Sequence, residues 1–130
     1  MGIHTWGNIG FADGLPILFD WQVASCGPAV KDLAYFAATS IDSDTRQAID
    51  TDLVRTYVDT LNADGTTRLT FGDARDSYRL FAFTAFIAAG ITAAFGRRLQ
   101  GEATTRAGLD RAVQALRDFD SVALLRDRLA

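Results

Sequence analysis

Cysteine, lysine and histidine each occur once in the chain, as Cys26, Lys31 and His4, and proline only twice. A lone cysteine excludes an internal disulfide, and a reduced, cytoplasmic setting is the expectation. The opening Met1-Gly2-Ile3-His4 has neither the positive nor the apolar region of a secretory signal. Positive charge is sparse and scattered: 13 bases face 16 acids, the formal net charge is −3, and no basic run exceeds Arg97-Arg98. With no positive stripe to follow a phosphate backbone, nucleic acid is not an expected partner. The longest apolar run, Leu80 to Phe95, falls short of the roughly 20 residues that span hydrocarbon and is bounded by Arg79 and Arg97. It predicts a helix buried on every side and no membrane partner. What is present is the composition of a globular domain, 48% apolar and 22% charged, in a chain of 14.1 kDa that has room for a single domain, 1–130.

Local periodicity changes once, near residue 27. Before it, Asn8-Ile9-Gly10-Phe11 and Ile17 to Gln22 are short β-favouring runs separated by Ala12-Asp13-Gly14-Leu15-Pro16. The Asp-Gly pair suits a turn that needs positive φ, so a β-hairpin is predicted. After it, Gly27-Pro28 predicts the start of a helix over 28–38, because proline at the first helical position gives up an amide that would lack a partner anyway. Ile49, Leu53, Tyr57 and Leu61 recur at spacing four, with Val54 and Val58 beside them, which predicts an amphipathic helix over 43–62. Asn62 to Gly65 ends it. Thr70, with Asp73 three residues on, predicts the cap of a third helix, the apolar one, with the other helices wrapped around it. A last helix over 105–129 turns Leu109, Ala112, Val113, Leu116 and Phe119 inward and Arg106, Asp110, Arg117 and Asp118 outward. The expected fold class is mainly α, an N-terminal β-hairpin followed by about four helices.

Packing accounts for most of the chain, and residues 4–36 hold the polar groups it does not require. Asn8 and Asp20 stand near the two ends of the predicted hairpin, which brings such positions close in space. An amide oxygen and a carboxylate at one edge suit Mg²⁺, which keeps several waters and takes one or two protein ligands when nucleotide phosphates supply the rest. On spacing alone the signal is weak, and a turn-capping Asn8 with a solvated Asp20 at a strand end is the more ordinary reading, because turn chemistry is common. Trp21, Tyr35 and Phe36 read as core, Cys26 as a buried structural thiol, and Asp73, Arg75, Asp76 and Arg79 as a solvated helix face.

The succession Trp6-Gly7-Asn8-Ile9, Asp13-Gly14, Leu18-Phe19-Asp20-Trp21-Gln22, Gly27-Pro28 and Asp32-Leu33-Ala34-Tyr35-Phe36 resembles the catalytic region of the aminoglycoside phosphotransferase and ecdysteroid-kinase-like family, of protein-kinase-like fold. In that family a His-Gly-Asp-x-x-x-x-Asn loop is followed across a hairpin by a second Asp and then by a helix carrying an Asp-Leu-Ala-type sequence. The resemblance implies the C-terminal lobe of such a kinase, with residues 1–26 as catalytic-loop remnant and metal-site hairpin and 27–130 as the helical part. It implies Asn8 and Asp20 as the ligands of Mg²⁺ and the ATP phosphates, and Asp32 as a structural brace of the catalytic loop. Without the resemblance, Asp32 reads equally as an acid welcomed by the helix macrodipole. Complete relatives transfer the ATP γ-phosphate to a hydroxyl of a small substrate.

The departures are specific. The loop's catalytic Asp falls at position 3, which is Ile3, and its His at Met1; only Gly2 fits. No catalytic residue is therefore assigned, and His4, the nearest titratable group, reads as a loop residue. No glycine-rich phosphate-covering loop is found, and Lys31, past the metal motif, cannot serve as the lysine of the missing N-terminal lobe. Phosphoryl transfer depends on positioning and charge neutralisation, so the expectation is a truncated family member, inactive alone. The alternative is a non-catalytic, pseudokinase-like helical interaction module. Either form is expected to expose an apolar face, and with it self-association or docking of the missing lobe.

Overall fold

A computed structural model describes residues 8–19, 26–95 and 101–130. The predicted hairpin is present as β1 (Ile9–Ala12) and β2 (Leu15–Leu18), antiparallel, with Ile9 opposite Leu18 and Ala12 opposite Leu15. Its turn is made by Asp13 and Gly14, at φ 52° and 77°, the left-handed pair a two-residue hairpin loop requires. The Phe19 amide donates to the Asn8 carbonyl at 2.8 Å and extends the ladder by one position.

Five helices follow: α1 (Val30–Ser40), α2 (Ser43–Asn62), α3 (Phe71–Phe95), α4 (Glu102–Asp118) and α5 (Ser121–Leu129). The chain is mainly α, as expected, but the single last helix is corrected to two. Asp120 adopts the left-handed conformation at φ 51° and turns the chain between α4 and α5. Arg79 of α3 donates to the carbonyls of Phe119 and Asp120, and the Ser121 hydroxyl donates to the Arg79 carbonyl at 2.7 Å, so the corner is fastened to α3. Nothing in the apolar periodicity of 105–129 marks that break.

Caps set the other boundaries. Asp42 caps α2 by accepting from the Thr45 amide at 3.0 Å and the Thr45 hydroxyl at 2.8 Å, and these bonds hold its carboxyl below the ordinary aspartate value. Thr70 caps α3, its hydroxyl accepting from the Asp73 amide and donating to the Asp73 carboxylate. Asn62 closes the intervening loop in both directions: its amide nitrogen donates to the Leu69 carbonyl at 2.9 Å and its oxygen accepts from the Leu69 amide at 3.0 Å. Asn62→Ala is expected to lower stability by about 1–3 kcal/mol, because it leaves two half-buried backbone groups unpaired; urea unfolding checks this.

Helix α3 packs against each of the other four helices, as expected of the central element. Its inner face is Ala74, Tyr78, Ala82 and Ala85, and it meets Ala34, Ala37 and Ala38 of α1 and Ala112 and Ala115 of α4. Alanine contacts let helix axes approach toward the close end of the usual 8–10 Å. The expectation that α3 is buried on every side is overturned: in its C-terminal half Phe86, Ile87, Ile91 and Phe95 are exposed. The run is apolar all round because its outer face is apolar too, not because every side is covered.

Candidate functional site

The hairpin positions the first predicted ligand. Asn8, half-buried, immediately precedes β1, and the strand register places it across from Phe19, the residue before Asp20. Asp20, Trp21, Ile3 and His4 lie outside the described residues. Gly10 allows the closure: a Cβ there would sit 2.6 Å from the Phe19 ring, which packs over it. Asp32 is half-buried in the first turn of α1, where its amide donates to the Ala29 carbonyl at 3.1 Å. The loop it was expected to brace, residues 1–7, is outside the described residues. Cys26 is exposed, which corrects its reading as a buried thiol. Tyr35 and Phe36 pack against the core, as read.

Among the described residues no group of three or more His, Cys, Asp or Glu side chains gathers around a common point. Asn8 and Asp20, an amide and a carboxylate, are hard oxygen donors of the kind Mg²⁺ prefers.

Between α2 and α4 lies a polar centre that the sequence reading did not identify. Arg46 of α2 is fully buried and pairs with Asp118 of α4, whose side chain is 5% exposed. Arg46 also donates to the Ile41 carbonyl at 2.9 Å, and its guanidinium lies 5.5 Å from the centre of the Phe119 ring. Asp118 accepts from the Ser43 hydroxyl at 2.7 Å and from Gln114 at 2.8 Å. Burial alone would raise the Asp118 carboxyl; the hydrogen bonds from Ser43, Arg46 and Gln114, with the Arg46 charge, outweigh it and hold the group below its ordinary value. The assignment of Asp118 to the outward face is thus corrected. A signal was present: Arg46 continues, at spacing four through position 50, the line of Val54 and Val58, the buried residues of α2.

The line Ile49, Leu53, Tyr57 and Leu61 is half-buried, with Ile49, Leu53 and Tyr57 packed against the core as the amphipathic pattern predicts. Together with Leu33 of α1 and Asp52, Thr56 and Thr60 at the rim, it lines an open groove of about 410 Å³. Burial raises the Tyr57 phenol, which stays protonated at neutral pH. The charged start of α3, read as a solvated face, instead ties the bundle together. Arg75 donates to the Thr51 hydroxyl at 3.1 Å, Arg128 pairs with Asp76 at 2.6 Å, and Arg79 fastens the α4–α5 corner.

No curated protein and no solved structure matches the chain. Residues 16–70, less than half of the chain, match the model of the ecdysteroid kinase-like family, and this similarity supports kinase-like phosphotransferases as its relatives.

Proposed function

We propose that this chain provides the metal-site hairpin and helical lobe of a small-molecule phosphotransferase of the aminoglycoside phosphotransferase and ecdysteroid-kinase-like kind. The observation that carries the reading is the coincidence of the family match over 16–70 with a hairpin whose register sets Asn8 opposite Phe19, one residue before Asp20. In this reading Asn8 and Asp20 hold Mg²⁺ together with the ATP phosphates, and Asp32 braces the loop before β1. The bound cation would draw negative charge from the transferring phosphoryl group. The substrate is a small molecule that offers a hydroxyl. Ile3 has no proton acceptor, so the chain does not itself supply the carboxylate that orients that hydroxyl, and it is inactive in isolation.

The test is an NMR titration of the chain with Mg²⁺ and ATP, beside Asp20→Ala. Shifts of the Asn8 and Asp20 amides at millimolar nucleotide or tighter, lost in Asp20→Ala, are expected. Equal response of the two chains, or none from either, overturns the metal assignment. A second reading, a non-catalytic helical interaction module, is favoured by the exposed apolar residues of α3 and the hairpin.

A further inference from the structure

The outer face of α3 lies opposite its core face. At 100° per residue, Tyr78, Ala82 and Ala85 point one way while Ile87, Gly90, Ile91 and Ala94 point the other, with Phe86 and Phe95 at the margins. Ile87 is 56% exposed, Ile91 51% and Phe95 60%. From Leu80 to Phe95 there is no charged residue, so nothing on this face requires solvation. The space above Gly90 is open, and a second backbone can approach there. We infer that this face is a self-association surface, on which α3 of one copy packs against α3 of a second copy about a two-fold axis near Gly90 and Ile91.

A second copy is the occupant for three reasons. The first is area. A standard dimer removes about 800 Å² from each partner, and the four exposed side chains of this face, Phe86, Ile87, Ile91 and Phe95, supply on the order of 400 Å² of that before any rim is counted. The second is self-complementarity: an uncharged apolar stripe meets its own copy with no like charges opposed, and a closed two-fold contact uses the same patch on both sides. The third is that α3 cannot leave the bundle. It is long and apolar enough to cross a membrane by length and composition, but its first turns are tied to α2, to α5 and to the α4–α5 corner through Arg75, Asp76 and Arg79, and its inner face is core. Only one stripe is free, which suits a flat helix-on-helix contact better than immersion in lipid.

Sedimentation velocity of the full chain from about 1 to 100 μM, a range that brackets ordinary dimer affinities, tests this. The expected result is a rise from one chain mass to two, with Ile91→Glu and Phe95→Glu each weakening dimerisation at least tenfold while circular dichroism stays unchanged. Asp59→Lys, on the exposed side of α2, is expected to leave the dimer intact. A single chain mass throughout overturns the inference, as does a dimer indifferent to both α3 variants. Flotation of a single-mass chain with phosphatidylcholine vesicles, abolished by Ile91→Glu, would assign the face to lipid instead.

Discussion

Asp118→Ala is expected to lower folding stability by about 3–5 kcal/mol, read as a shift of the urea midpoint at pH 7. The loss comes less from the missing attraction than from what remains. Arg46 is fully buried, its Nε already has no hydrogen-bond partner among the described residues, and without Asp118 its charge is left with carbonyl oxygens and the Phe119 ring. Burying an uncompensated guanidinium is far more costly than burying none. Replacing both partners, Arg46→Met with Asp118→Leu, is therefore expected to recover most of the loss, since apolar residues of similar size fill the space without desolvating charge. An Asp118→Ala chain within about 1 kcal/mol of wild type would mean that Arg46 reaches water, contrary to its burial here.

The same pair sets a pH dependence. Because the folded carboxyl of Asp118 lies below its unfolded value, its stabilisation is complete above the ordinary aspartate pKa of about 3.9 and is withdrawn as pH falls through the folded value. Asp118→Asn should accordingly show a shallower loss of stability below pH 4.

Tyr78→Ala is expected to be comparably damaging, about 3–5 kcal/mol, while Tyr78→Phe is expected to be neutral or stabilising by up to about 1 kcal/mol. The ring is 1% exposed, and its centre lies 4.7 Å from that of Phe119 in a tilted pair. In a core built largely from alanine, most neighbours are too short to fill the cavity its removal would leave. The hydroxyl, by contrast, is buried with no partner among the described residues. Burial, with the charge of Asp50 added, pushes the phenol well above its ordinary pKa, so it is a neutral group deprived of water. Thermal unfolding separates the two contributions; a Phe variant as damaged as the Ala variant would show that the oxygen is satisfied.

The sequence was most legible where a boundary has a local chemical cause. Asp13-Gly14 specified the hairpin turn, Thr70 with Asp73 the start of α3, and Asn62 to Gly65 the end of α2. It was least legible where the cause is tertiary. The left-handed Asp120 depends on Arg79 and Ser121, about 40 residues apart in sequence, and a periodicity window cannot register such a contact. Arg46 was overlooked because a charged residue on an amphipathic helix is ordinarily read as solvated, and Asp118 was placed outward for the same reason. The outer face of α3 misled because all-round apolarity fits both a buried helix and one with a sticky side. In the candidate site, the sequence located Asn8 and the hairpin that carries it; the role expected at position 3 and the metal-ligand roles of Asn8 and Asp20 rest on the resemblance.

The Arg46–Asp118 pair also bears on how cooperatively the chain folds. Its two members are separated by 72 residues, so their contact closes a long loop and is gained only after that loop's entropy has been lost. Helices packed around α2 without α4 would leave the buried Arg46 charge without its carboxylate, so the pair couples the docking of α2 to the docking of α4.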